Sequence, residues 1–333
     1  MATIREVAQK AGVSVTTVSH VINQTRFVSP DAEKRVLSAM QQLNYRPNTL
    51  ARSLRRGETH TIGLMVPDSA NPYFAEVARI IEEKAFRASY STILCNSDND
   101  LEKERRYTEI LINKQVDGII FMACGDDIVS LKELVDRHMP AVIVDRLLDN
   151  VDVDSVVSDN FQGGYLATQH LIVTGHRNIA IIRGPSNVTP SARRFDGYLQ
   201  ALKDYNLPLQ ENLIKSGNFH PPSGHQAARE LFSQSVKPDA IFACNDLMAI
   251  GALHAAYEKD LSVPEQISII GYDNIELALF TQPALTTIAQ PIQAIADRAV
   301  QLLLERIIHP HNLPKRETLS NQILIRSTTR SLK

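Results

Sequence analysis

Tryptophan is absent from the 333 residues, and cysteine occurs three times, as Cys95, Cys124 and Cys244. Those three are far apart, odd in number and not arranged in pairs, which argues against a disulfide framework and against a cysteine-based zinc site. They read instead as small buried apolar residues. No apolar run approaches the roughly eighteen residues of a membrane span, and the opening MATIREVAQK lacks the apolar stretch of a secretory signal, so the expected location is the cytoplasm with no membrane partner. A G-x-x-x-x-G-K-[ST] loop, a G-x-S-x-G elbow and an H-E-x-x-H pair are also missing, so the expectation is a protein that is not an enzyme and uses no cofactor or metal. Asp145 and Asp273 resemble an acid–base pair only superficially, because no activating partner accompanies them.

What is present is divided unevenly. The formal net charge of -2 hides nine Lys/Arg against three acids in residues 1–57, leaving 26 basic and 34 acidic residues for the remainder. A basic head on an acidic body suggests that the head alone meets a polyanion. The length allows two or three folding units.

Within the head, Thr3-Ile4-Arg5-Glu6 has the form of a capping box, and Ile4, Val7, Ala8 and Ala11 recur at helical spacing until Gly12. Ser14 is placed to cap a second helix that runs to about Asn23, with Val18, Val21 and Ile22 inward and Val15, Thr16, Ser19 and His20 outward. Ser29-Pro30 opens a third, with Val36, Met40 and Leu43 completing a small core. This spacing predicts a helix-turn-helix over residues 1–46, whose second helix enters the major groove. An ordinary three-helix bundle accounts for neither the outward row nor the clustered charge. Thr16 and His20 can hydrogen-bond base edges, the methyl groups of Val15 can meet thymine methyls, and cations such as Arg26 supply salt-dependent phosphate attraction. Residues 47–59 then suit a short helix, capped by Asn48 and marginal by itself, in which Leu54 and Arg55 have the character of a minor-groove wedge. A flexible basic linker is the competing reading.

From Thr61 the pattern becomes apolar runs alternating with amphipathic stretches: TIGLMVP, STILCNS, DGIIFMA, PAVIVDR, NIAIIRG, DAIFACN and ISIIGYD. Such runs predict buried parallel strands in an α/β body of two doubly wound lobes. We place one lobe at about 60–160 and 292–322, and the other at about 161–291 and 323–333. Ligands of open α/β sheets bind beyond the carboxyl ends of strands. The polar and aromatic residues found there are Asn71, Tyr73 and Phe74, Asp145-Arg146, Asn245-Asp246, Asp273, and Gln290 after LTTIA. Any one of them suits a helix cap or loop. Together they make a cleft fitted to a polyhydroxylated ligand, with planar polar groups for hydroxyls and rings for C–H faces.

The stretch ATIREVAQKAGVSVTTVSHVIN with FVS, followed by NYRPNTLARSL, resembles the lactose-repressor (LacI/GalR) family, closest to its purine- and ribose-repressor branch. The resemblance implies a homodimeric repressor on a palindromic operator. It implies that Val15, Thr16 and His20 read bases, that Arg26, Asn48 and Ala51 lie at the DNA, and that Leu54 and Arg55 enter the minor groove. The body is similar to periplasmic sugar-binding proteins, and its NPYF, DR, ND, GYD and Q match the ribose-binding members. Arg194, in Arg-Phe-Asp-Gly-Tyr, matches a ligand contact, and Phe219 a ring that covers the ligand. A purine-binding relative shares Tyr73, Phe74 and Phe219, but has an arginine at the position of Val188 and lacks the Asp145-Arg146 pair. A pentose effector, ribose first, that releases the operator is therefore expected. The alternatives are a purine corepressor or control by a phosphorylated carrier protein. A sugar-transport binding protein would be exported and would carry no such head.

Overall fold

The computed structural model describes residues 2–45, 58–122, 128–146 and 151–330. It divides into two compact units, Met1–Thr59 and His60–Lys333. Among the described residues, no helix is long and apolar enough to cross a membrane.

In the first unit, helices α1 (Ile4–Ala11), α2 (Val15–Asn23) and α3 (Pro30–Gln42) follow the capping signals closely. Thr3 and Glu6 close the capping box from both sides, with Thr3 N donating to Glu6 Oε2 at 2.7 Å and Glu6 N donating to Thr3 Oγ1 at 3.3 Å. Gly12 then takes a left-handed φ of 62°, which ends α1 at little steric cost. Ser14 and Ser29 cap α2 and α3, and Pro30 begins α3, where its missing N–H would have had no helical partner. Val7, Ala8, Ala11, Val18, Val21, Val36 and Ala39 form the core, with Met40 and Leu43 packed at its edge. Arg35 Nη1 donates to Ala11 O at 3.1 Å, tying α3 to a carbonyl that α1 leaves open at its end.

The second unit contains two six-stranded sheets. The first has the order β11-β5-β4-β3-β1-β2, comprising β1 (Thr61–Val66), β2 (Ser91–Asn96), β3 (Gly118–Phe121), β4 (Ala141–Val144), β5 (Asp154–Ser158) and β11 (Arg316–Leu319). The second has the order β12-β10-β9-β8-β6-β7, comprising β6 (Ile179–Arg183), β7 (Ile214–Ser216), β8 (Ala240–Ala243), β9 (Ser268–Asp273), β10 (Thr286–Ala289) and β12 (Gln322–Leu324). Every pairing is parallel except β10 with β12. The connecting helices are α4 (Pro72–Arg87), α5 (Leu101–Asn113), α6 (Val129–Asp136), α7 (Asn160–Val173), α8 (Thr189–Asp204), α9 (Pro221–Phe232), α10 (Asp246–Glu258), α11 (Leu277–Phe280) and α12 (Ile292–Ile308). The chain passes between sheets after β5, after β10 and between β11 and β12, so each lobe contains strands distant in sequence.

All seven apolar runs are strands. β5, β7, β11 and β12 carry no such run, for physical reasons. β5 is buried throughout although it reads DSVVS, because Asp154 accepts from Arg306 Nε at 2.8 Å and from Lys315 N at 2.7 Å. β7, β11 and β12 are sheet edges, where half-exposed polar residues break the alternation.

Helices α7 and α8 meet at two glycines. A Cβ on Gly197 would lie 2.2 Å from Phe161 O, and one on Gly164 would lie 2.1 Å from Arg194 O. Both obstacles are backbone, so the helices cannot yield without moving apart. Gly197→Ala is expected to destabilise the protein by about 1–3 kcal/mol, as core overpacking does. Urea denaturation with an unchanged slope would show it; a loss below about 0.5 kcal/mol would mean that the pair is not held this closely.

Candidate functional site

A cleft of about 640 Å³ opens where strands from both sheets end. The turn after β1 leads into α4, where Asn71 Oδ1 accepts from Tyr73 N at 3.0 Å and sets the start of the helix. Tyr73 and the adjoining Phe74 ring line the cleft, 5.1 Å apart and edge to face. Asp145 and Arg146 follow β4, Phe219 follows β7, Asn245 follows β8, Asp273 ends β9, and Arg194 projects from α8. Nine of the eleven residues singled out in the sequence, all but Asp246 and Gln290, therefore line this one cleft. Gln290 stands behind the lining residues. Gln290 donates from Nε2 to Asp273 Oδ1 at 2.8 Å, and accepts at Oε1 from Tyr73 (3.2 Å) and Ser158 (2.5 Å). It is a cross-lobe strut behind the cleft, because its polar atoms are engaged by the residues that support the wall.

Asn245 also does more than face the cleft. Its Oδ1 caps α10 by accepting from Met248 N at 2.9 Å, and its Nδ2 donates to Phe219 O at 2.9 Å. The amide thus holds the Phe219 backbone at a φ of 67°. Asp145 (φ 79°) and Asp273 (φ 110°) occupy similarly uncommon backbone states, so three of the cleft residues sit on strained turns held by their surroundings.

Arg194 is buried, with Nε donating to Asn160 Oδ1 at 2.8 Å and Nη1 to Cys244 O at 2.5 Å. Its guanidinium carbon lies 3.7 Å from the centroid of the Tyr272 ring, and Nη2 is 3.7 Å from Asp273 Oδ1. Burial raises the Asp145 carboxyl above its ordinary range, with Arg146 and Arg194 opposing the shift. Burial likewise pushes Asp273 up to about 7, against the pull of Arg194 and the hydrogen bond from Gln290. Burial also pushes the Cys244 thiol up to about 11, which makes it a structural group and not a nucleophile.

Sequence reasoning missed Asn160, Ser158 and Tyr272, which support Arg194 and Gln290. Only their positions at the end of β5, just after it and inside β9 hint at this. Asp246, grouped by sequence with the cleft, stands behind it. It accepts from Ile275 N at 2.9 Å and from Thr287 Oγ1 at 2.5 Å, which fixes the turn that follows Asp273. At the cleft mouth, His220 Nε2 of one lobe is 3.8 Å from Asp68 Oδ2 of the other.

In the head, Val15 is 40% exposed and Thr16 is exposed, whereas His20 is half-buried with Nδ1 2.8 Å from Thr25 Oγ1. Arg26 is exposed. Val15, Thr16 and His20 lie on α2, whose buried residues are Val18 and Val21. Asn48, Ala51, Leu54 and Arg55 lie outside the described residues.

A two-lobed α/β body with a polar interlobe cleft, carried in one chain with a helix-turn-helix head, defines a ligand-responsive DNA-binding regulator. Residues 3–48 match the model of bacterial regulatory proteins of the lacI family, and residues 59–331 match periplasmic binding proteins and the sugar-binding domain of that family. The chain belongs to the lacI family and is a DNA-binding transcriptional repressor of it. It is 46% identical over 308 residues, 92% of each chain, to the HTH-type transcriptional repressor PurR of Pasteurella multocida. It is similar to the lac repressor dimer bound to operator and the anti-inducer ONPF, at 28% identity and a TM-score of 0.90 over 99% of both chains. It is also similar to a LacI-family regulator from Enterococcus faecium with bound ribose, at 33% identity and a TM-score of 0.74, covering 82% of this chain and 100% of that one.

Asp273 keeps its proton in the folded protein up to about pH 7, whereas an unfolded aspartate loses it near 4. The folded state therefore binds more protons in that window. The contribution of Asp273 to stability is full below about pH 4 and is lost as pH rises through 7. In the ligand-free protein Asp273→Asn is expected to flatten this fall, measured by urea denaturation between pH 4.5 and 7.5. Identical profiles for both proteins would contradict the assignment.

Proposed function

We propose that this repressor responds to a small polyhydroxylated effector, a pentose with ribose first, bound in the interlobe cleft. The observation that carries the reading is the convergence of Asp145-Arg146 from one lobe with Arg194 and Asp273 from the other, beside the rings of Tyr73, Phe74 and Phe219. Carboxylates and guanidinium groups can each engage two adjacent hydroxyls, and buried polar groups discriminate strongly against ligands that leave them unpaired. The ribose-bound relative supports this reading. Ligand contacts to both lobes would favour closure, and an effector that weakens operator binding needs only about 1–3 kcal/mol of coupling.

A second reading is a purine corepressor that strengthens DNA binding. The curated relatives, PurR repressors, favour it over the sugar reading, and the three rings would flank a flat base. In both readings the protein is a homodimer on a palindromic operator. The head spans about 1–46, a hinge about 47–59 and the effector body 60–333; the body's lobes are about 60–160 with 292–322 and 161–291 with 323–333. Val15, Thr16, His20 and Arg26 face the duplex, joined by Asn48, Ala51, Leu54 and Arg55.

Calorimetric titration of the full-length protein with D-ribose, hypoxanthine and guanine separates the two readings. The first expects saturable ribose binding that weakens about 100-fold or more in Asp145→Ala, through loss of a buried charged partner. Purine binding without a ribose response would replace it with the second. For the head, Thr16→Ala is expected to weaken operator binding about tenfold, the cost of one base-edge contact, with effector affinity unchanged. An equal loss on random duplex would show that Thr16 does not read sequence.

A further inference from the structure

Among the described residues outside the cleft, one cluster has the composition of a metal site. His225 lies on α9, while His254 and Glu258 lie four residues apart on the facing helix α10. Nε2 of His225 is 2.8 Å from Glu258 Oε2, and Nε2 of His254 is 3.4 Å from Glu258 Oε1. The two imidazole centroids are 5.2 Å apart, and one ligand atom from each of the three residues falls within 4.8 Å of the others. We propose that His225, His254 and Glu258 form a binding site for one divalent transition-metal ion of the zinc or cobalt class.

Two imidazoles and one carboxylate are a donor set that such ions prefer, and it leaves a coordination position for water or an incoming ligand. With bonds of about 2.0–2.1 Å, tetrahedral ligands stand roughly 3.3–3.4 Å apart. The 3.4 Å and 2.8 Å separations run to different oxygens of Glu258, and all three ligand atoms lie within 4.8 Å of one another, so side-chain rotation that replaces the His225–Glu258 hydrogen bond must draw them to this spacing around the ion.

The platform beneath these side chains is rigid. A Cβ on Gly224 would lie 2.2 Å from Met248 O, and one on Gly251 would lie 2.1 Å from Pro221 O. The backbones of α9 and α10 are therefore nearly in contact, and the register of His225 over His254 and Glu258 is set by packing, not by flexible loops. His225 is largely covered, and His254 is exposed on the rim. The cysteine spacing that speaks against zinc has no bearing on this cluster, since His225 joins it only through the fold.

The test is titration of untagged full-length protein with Co²⁺, followed by visible d–d absorption, with Zn²⁺ as competitor. The expected result is one Co²⁺ per chain, displaced by Zn²⁺, with affinity at least tenfold weaker in His254→Ala and in Glu258→Gln. Both side chains are at the surface, so the variants are expected to keep the wild-type urea-unfolding midpoint. Absence of a Co²⁺ spectrum at mid-micromolar metal, or equal Co²⁺ affinity in wild type and both variants, would overturn the site.

Discussion

A guanidinium group removed from water must be surrounded by acceptors, and the position of Arg194 imposes that demand on the middle of the body. Asn160, the Cys244 carbonyl, the Tyr272 face and the Asp273 carboxylate each meet part of it. These groups come from the start of α7, the end of β8 and the end of β9. The close approach of α7 to α8, made possible by Gly164 and Gly197, brings Arg194 to them. The same network leaves two carboxylates desolvated at the cleft wall. A ligand able to donate hydrogen bonds to them gains more than it would from an exposed carboxylate, because the cost of removing water has been met in folding.

The lobes are also linked behind the wall. Gln290 joins Tyr73 and Ser158 on one side to Asp273 on the other, and Asp246 secures the turn beyond it. A shift of the lobes that separates Tyr73 from Asp273 must break this strut. The cleft residues and the relative position of the lobes are thus coupled through specific hydrogen bonds, the kind of element that a bound effector can bias.

Much of this was legible in the sequence because each signal was local. Thr3-Glu6, Gly12, Ser14 and Ser29-Pro30 set the head helices through neighbouring backbone groups, and the seven apolar runs became strands. The cleft was legible as a group because residues just past the carboxyl ends of parallel strands must converge. Their individual tasks were not. Asn71 and Asn245 are caps as well as wall residues, and Gln290 and Asp246 are supports, distinctions set by distances of about an ångström across sequence gaps as large as the one between Tyr73 and Gln290. β5 escaped notice because Asp154 is neutralised by Arg306, 152 positions away.

The sugar and purine readings share the aromatic residues and differ over the buried charges, so the decisive quantity is what a ligand does to a carboxylate. The most direct measurement is the titration of the Asp273 side-chain carboxyl by carbon-13 NMR, in the free protein and at saturating D-ribose. A midpoint near 7 in the free protein, falling by more than about one unit with ribose bound, is the expected result, because hydroxyl donors favour the ionised form. The same midpoint in both samples would contradict recognition of a polyol by this carboxylate.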